Sequence, residues 1–431
     1  MTSNSATFTL ITLSFLLLLK QTTAFAATQT ASPEKVTSFK ELNHNNGLAK
    51  TPPMGWSSWN NFGVEINEKL LVETIDSMVA NGMRDAGYIY VNLDDGWQRY
   101  KGSRQDHPLE YDPVKFPRGI KYIADYAHSK GMKLGIYSGP GKDTCAGFTG
   151  SEGHEAEDAA MFASWGIDHL KYDACCSHAK EPAPVLHEVF LTMSEALIEQ
   201  EQDIVFHACH CGWANIWEWG GDIGANHWRI GQDISDDFDY PGNREDYYQD
   251  VLDMIDRGVE LTPYTKPGQW NDFDMLAVGL NGESKELVGA GASNIEYRTH
   301  FSMWAMLASP LLTASDLRNV DPYTLETLTN TEVIAINQDA LGQQAKKVKD
   351  EGDLEIYAKP LSDGSWAVAM LNRGSVTANI ALNIQQDLGL KWSSATFRDL
   401  WKHQNMSNEG KAYQVEVISH EAKILRIIKN E

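Results

Sequence analysis

Between Thr51 and Ala340 short apolar runs alternate with amphipathic helical stretches, and this rhythm constrains the fold more than any other feature of the chain. The apolar runs fall at 53–56, 88–93, 133–137, 169–172, 204–208, 227–230, 268–272 and 310–313. Helical patterns lie between them, at 67–85, 119–130, 155–165, 183–199 and 295–307, several closed by glycine as helix ends commonly are. Eight alternations over about 290 residues fit a (β/α)8 barrel, which typically takes about 250 residues. An open dinucleotide-binding sheet would carry G-x-G-x-x-G after its first strand, and that motif is absent there. After Lys346 the period changes to two, at 354–361, 366–372, 378–384, 412–418 and 423–429, the mark of antiparallel strands. The expected fold is therefore α/β, with a barrel over 51–343 and a small C-terminal antiparallel β-sandwich over 344–431.

Residues 1–26 contain an apolar stretch at 8–19 and then Ala24-Phe25-Ala26, a small-x-small site. The stretch is short for a bilayer of about 30 Å and predicts a secretory signal peptide, followed by a polar lead-in over 27–50 and an exported protein. No later run approaches membrane-spanning length, so no membrane association is expected once the signal is removed. Five cysteines remain, at 145, 175, 176, 209 and 211. An odd number leaves at least one thiol unpaired unless it bridges chains, although some pairing is expected in an exported protein. Neither CxxC nor HxxxH spacing supports a closed zinc site, so no metal and no cofactor is expected. Asn405-Met406-Ser407 is a lone N-x-S sequon. With 59 acidic and 36 basic residues among 431, the formal charge is 36 − 59 = −23, which excludes a polyanion binder.

In barrels the chemistry sits where strands end. Here those ends carry Asp94-Asp95, Tyr137, Lys171-Tyr172-Asp173, Cys209-His210, Arg229 with Asp233, and Asp272 with Asp274, so carboxylates converge on one rim. Paired carboxylates are the minimal equipment for cleaving a glycosidic bond. Lys171 and Asp173 are two apart on a strand and face one side, and the ammonium favours the ionised carboxylate that a nucleophile requires. Arg229 stands near enough to Asp233 to assist in binding hydroxyls. Asp94 and Asp95, with Trp97 two residues on, combine hydroxyl acceptors with an aromatic platform, as a sugar's polar edge and apolar face demand. Thirteen tryptophans, many near strand ends (Trp56, Trp59, Trp97, Trp213, Trp217, Trp219, Trp228 and Trp270), add to the expectation of a carbohydrate cleft.

Several stretches, in order, resemble glycoside hydrolase family 27, the α-galactosidase or melibiase family. They are Thr51-Pro-Pro-Met-Gly-Trp-Ser-Ser-Trp59-Asn, Asn92-Leu-Asp94-Asp95-Gly-Trp97, Leu134-Gly-Ile-Tyr137-Ser, Thr144-Cys145-Ala-Gly, Leu170-Lys171-Tyr172-Asp173, Trp228-Arg229 with Asp233-Ile234, Trp270-Asn-Asp272-Phe-Asp274-Met275, Ser309-Pro-Leu-Leu and Ile336-Asn-Gln-Asp. The resemblance implies a barrel with a C-terminal β domain and a retaining exo-glycosidase that removes terminal α-D-galactosyl residues by double displacement. Asp173 falls at the nucleophile and Asp233 at the general acid/base; Trp59, Asp94, Asp95, Tyr137, Lys171, Arg229 and Asp274 fall where the family binds its sugar. Cys145 and Cys175 fall at a family disulfide. The chain departs at Ala208-Cys209-His210-Cys211-Gly212-Trp213, where the family commonly reads Cys-Glu-Trp in the loop near the sugar's 2-position. That departure leaves β-L-arabinopyranosidase and α-N-acetylgalactosaminidase activity as alternatives, with an inactive carbohydrate-binding protein as the alternative of a different class. It also carries the expectation that His210 accepts the sugar's 2-hydroxyl, the alternative being that His210 points into the barrel wall and the loop contacts no sugar. The expected partner is a carbohydrate ending in a galactose-configured sugar.

Overall fold

The computed structural model describes residues 46–174, 181–240 and 248–430. The signal-peptide segment, most of the lead-in, and Cys175 and Cys176 lie outside them.

Eight parallel strands form one sheet: β1 (Met54–Ser57), β2 (Tyr90–Asn92), β3 (Lys133–Ser138), β4 (His169–Asp173), β5 (Val205–Cys209), β6 (His227–Arg229), β7 (Trp270–Asp272) and β8 (Leu311–Thr313). Their order is β8-β1-β2-β3-β4-β5-β6-β7. A parallel bridge between Leu276, just past β7, and Thr313 of β8 joins the two ends, with Leu276 N donating to Leu312 O at 2.8 Å. The sheet is thus a barrel, and each expected apolar run overlaps one of its strands. Around it lie α1 (Glu68–Ala80), α2 (Ile120–Ser129), α3 (Glu155–Trp165), α4 (Ala183–Ile198), α5 (Val251–Val259) and α6 (Asn294–Met306), then the short α7 (Pro322–Leu328) and α8 (Thr331–Asn337). Helix starts follow local chemistry: Asn67 caps α1 through Leu70 N, Asp250 caps α5, and Ser293 with Glu296 forms a capping box on α6. Gly166 ends α3 in the left-handed conformation that glycine adopts at least cost.

Strand alternation sorts the side chains. On β4, Leu170 and Tyr172 point outward, Tyr172 against Phe190 of α4 and Phe206 of β5, leaving Lys171 and Asp173 for the interior. The last residues of the lead-in close the barrel's N-terminal end: Asn46 and Asn226 exchange side-chain hydrogen bonds, and Ala49 O accepts from Trp270 Nε1 at 2.7 Å.

Eight antiparallel strands follow: β9 (Lys346–Glu351), β10 (Leu354–Pro360), β11 (Trp366–Asn372), β12 (Ala378–Asn383), β13 (Ala395–Asp399), β14 (Gln404–Gly410), β15 (Ala412–Val417) and β16 (Ala422–Lys429). Six form a sheet ordered β9-β10-β11-β16-β13-β14, and β12 pairs with β15. Ile356, Val368, Met370, Leu425 and Ile427 of the larger sheet pack on Ile380, Leu382 and Tyr413 of the smaller, which makes a sandwich. Its other face continues the barrel's apolar core, since Tyr357, Leu371 and Ile424 belong to one buried cluster with Phe301 and Ala305 of α6. Among the described residues no helix is long and apolar enough to cross a membrane.

Candidate active site

At the C-terminal ends of the barrel strands a cavity of about 300 Å³ opens. Trp59, Asp94, Asp95, Tyr137, Lys171, Asp173, Arg229, Asp233 and Asp274 all line it. Each stands in or just beyond a strand: Asp94 and Asp95 after β2, Tyr137 on β3, Lys171 and Asp173 on β4, Arg229 on β6 with Asp233 four residues on, and Asp274 after β7. Trp59 begins a single helical turn, Trp59–Phe62, after β1. Parallel register carries residues of very different sequence position to one rim. Cys145, Asn60, Tyr248, Met275, Glu286 and Leu287 complete the wall. Apart from Cys145, these were not expected as site residues; they come from the single helical turn after β1, from loops or from a two-residue ladder (Asp233–Ile234 with Tyr248–Gln249), which leave no periodic signal.

Buried charges here are paired, as burial requires. Lys171 Nζ lies 2.9 Å from Asp94 Oδ2, which Ser57 Oγ also reaches at 3.4 Å. Burial would lower the Lys171 ammonium's pKa, but Asp94 and then Cys209 and Asp173 hold it well above its ordinary value. Arg229 is anchored by the Gln232 carbonyl at 2.6 Å and bridges two carboxylates, Asp274 at 2.9 Å and Asp233 at 3.0 Å. Asp233 is 37% exposed while Arg229 is buried, so this carboxylate stands at the mouth and Arg229 beneath it. Tyr137 donates its hydroxyl to Asp173 Oδ2 at 3.3 Å and sits 3.0 Å from Cys145 Sγ.

Asp95 accepts from Thr144 Oγ1 and from the backbone N–H groups of Ala146 and Gly96. Its pKa is nonetheless raised to about 6 by burial. Asp274 reaches about 6 for the same reason, the nearby Arg229 opposing the shift. Asp274 also holds a left-handed backbone at φ 74°, fixed by its own N–H donating to Asp272 Oδ1 at 2.9 Å and its carboxylate accepting from Ile234 N. Five aspartates with Glu286 against one lysine and one arginine make this a cavity for a hydroxyl-rich, uncharged ligand rather than an anion.

Two expectations are corrected. Trp97 is no platform; it is fully buried, edge-on to Trp165 and Phe162, and its indole N–H donates to the Tyr137 carbonyl at 2.8 Å. Trp56, Trp228 and Trp270 are likewise core, each indole N–H donating to an acceptor within the fold, so among the described tryptophans Trp59 alone lines the cavity. His210 does not line it either. It is buried with its ring against Phe190 of α4 and Trp213, just before Cys211 and Gly212, both at positive φ.

Comparison with known proteins agrees with this architecture. The family model described as Alpha galactosidase A matches residues 51–339, and the one described as Alpha galactosidase C-terminal beta sandwich domain matches 351–427. Alpha-galactosidase 2 of Arabidopsis thaliana is 44% identical over 90% of this chain and 92% of its own. A putative α-galactosidase of Bacteroides fragilis has a crystal structure that superposes with a TM-score of 0.83 at 40% identity, over 89% of this chain and 80% of that one. The α-galactosidase of Saccharomyces cerevisiae, solved with raffinose, superposes with a TM-score of 0.81 at 28% identity, covering 90% and 99% respectively.

Proposed function

The chain belongs to the α-galactosidase family of glycoside hydrolases, and from that membership we propose that it releases terminal α-D-galactosyl residues with retention of configuration, Asp173 acting as nucleophile and Asp233 as general acid/base. The observation that carries this reading is the convergence of both aspartates with seven polar or aromatic sugar-binding residues on one cavity.

The steps follow from where each group stands. Asp173, oriented by the Tyr137 hydroxyl, attacks the anomeric carbon from the cavity floor. As the bond to the leaving oxygen breaks, Asp233 at the mouth gives that oxygen its proton, and a glycosyl ester on Asp173 remains. Water enters where the leaving group left, loses a proton to Asp233 and attacks the same carbon; the ester bond breaks and α-galactose departs. Two inversions restore the starting configuration. Asp94 and Asp95 accept hydroxyls at the closed end, with Lys171 and Arg229 as charged donors between the carboxylates. The Arg229 bridge couples the acid/base to the sugar floor through Asp274.

We propose three further assignments. Residues 51–343 act as the catalytic domain and 344–431 as a packing domain. The first 26 residues direct export. Cys145 pairs with Cys175, which is supported by Cys145 being a disulfide cysteine.

Assaying aryl glycosides of α-galactose, β-L-arabinopyranose and α-N-acetylgalactosamine with the wild type and Asp173→Asn tests the assignment. The α-galactoside is expected to be turned over fastest. Asn cannot attack the anomeric carbon but nearly matches Asp in shape, so the variant should lose roughly 1000-fold or more in kcat with its circular dichroism unchanged. A folded Asp173→Asn protein within about tenfold of wild type would remove Asp173 from its role.

A further inference from the structure

Beneath the sugar cavity, inside the barrel, three histidines from three adjacent strands meet. Lys171 of β4 is the register partner of His207 of β5, which is the partner of His227 of β6, and His169 lies two residues before Lys171. Register partners and i, i+2 neighbours share a sheet face, so all three imidazoles point into the barrel. One ring nitrogen from each lies within 4.8 Å of the other two. His169 Nε2 is 2.9 Å from His227 Nε2, and the His207 and His227 rings stack with centroids 3.9 Å apart. A cavity of about 20 Å³, lined by His169 and His207 with Ser57, Asp94, Lys171 and Asp272 among others, adjoins them.

We propose that His169, His207 and His227 form a binding site for a divalent first-row metal ion of the borderline class typified by zinc. Three observations carry this. First, hydrogen bonding leaves the cluster incomplete. His169 Nδ1 has no partner, and neither ring nitrogen of His207 has hydrogen-bond geometry, although Nε2 lies 3.2 Å from Asp272 Oδ2. Both side chains are buried, where an unsatisfied imidazole is costly. Secondly, His227 Nδ1 is 2.9 Å from Asp272 Oδ2, so the carboxylate holds the proton on Nδ1 and makes Nε2 the acceptor facing the cluster, a lone pair that a metal ion would take in exchange for the hydrogen bond from His169 Nε2. A histidine oriented by an outer carboxylate is the usual arrangement of a metal ligand. Thirdly, the size and charge suit a small cation. Metal–nitrogen bonds of about 2.0–2.1 Å place tetrahedral ligand atoms about 3.3 Å apart, within a few tenths of an ångström of the His169–His227 separation. Asp94, Asp272 and Asp274 around the small cavity outnumber Lys171 and Arg229.

The site also connects to the sugar floor, because Asp272 uses its other oxygen to accept the backbone N–H of Asp274. Three ligands drawn from three strands produce no linear spacing motif, which is why the sequence alone gave no expectation of a metal.

The test uses the full chain without added histidines, unfolded and refolded with Co²⁺, Zn²⁺ or EDTA, since a buried site loads during folding. The expected result is about one equivalent of tightly held metal, ligand-field bands of a tetrahedral nitrogen-ligated cobalt site, and a higher Tm for the zinc-refolded protein than for the EDTA-refolded one. His207→Ala should lose the cobalt bands, whereas Asp173→Asn should keep them. Folded wild-type protein that takes up no metal above background would overturn the proposal whatever the variants do, and would leave the cavity to water. α-Galactosidase activity is read separately, so failure of the metal site and failure of the glycosidase reading cannot be confused.

Discussion

Asp94, Asp95, Tyr137, Lys171, Asp173, Arg229, Asp233 and Asp274 are spread over 181 positions of the chain (274 − 94 + 1) yet line one cavity, because a parallel barrel brings every strand's C-terminal end to the same rim. That geometry made their grouping legible in the sequence, where an interior-facing Lys or Asp at the end of an apolar run has few structural uses. The same reasoning misplaced His210 and Trp97. A strand end specifies a rim but not the direction of the loop beyond it, and the chain turns His210 into an aromatic packing site between Phe190 and Trp213. His210→Glu is therefore expected to destabilise the protein by about 2 kcal/mol or more, the cost of burying a carboxylate among rings. The pH dependence of KM should stay as in the wild type in the folded fraction. Denaturant titration together with KM measured from pH 5 to 8 checks both; a stable variant with an altered KM profile would return His210 to the sugar.

Among elements, the barrel strands were found within about two residues of their observed ends, whereas three sandwich strands were missed. β9 reads Lys-Lys-Val-Lys-Asp-Glu and β14 reads Gln-Asn-Met-Ser-Asn-Glu-Gly, and they are the two edges of the six-stranded sheet. Edge strands keep charged and polar residues as protection against pairing with other chains, which erases the alternation a sequence reading relies on. β13 is only five residues long. Where the sandwich meets α6, the last strand-interior lysine of β10, Lys359, is buried and donates to the Ala305 carbonyl at 3.1 Å. Burial lowers its pKa from 10.5 to about 7. A base depressed by folding contributes its full stability only above its unfolded pKa and loses it as pH falls toward the folded value, so at pH 7 Lys359 costs the fold free energy. Lys359→Met should raise stability by about 2 kcal/mol at pH 7, after allowing for the lost hydrogen bond, and by little at pH 10. Chemical denaturation at the two pH values checks this; an equal gain at both would mean that protonation of Lys359 does not set its cost to the fold.

At the scale of the whole molecule, the barrel and sandwich share one apolar core, and sequence likeness to α-galactosidases extends through both regions. What the sequence could not disclose was contact at long range: which tryptophans the core would absorb, and that histidines at 169, 207 and 227 would meet. If residues 1–26 direct export, the secreted protein should begin at Ala27, which intact-mass measurement reads directly; a mass that includes the apolar stretch at 8–19 would show an uncleaved anchor. The central claim is double displacement by Asp173 and Asp233, which requires their carboxyl groups to stand about 5–5.5 Å apart on either side of the scissile bond, with no room for a water between nucleophile and anomeric carbon. Proton NMR of the first galactose released from an aryl α-galactoside, recorded before mutarotation, tests it most directly. The α anomer is expected first; the β anomer appearing first would contradict the retaining mechanism.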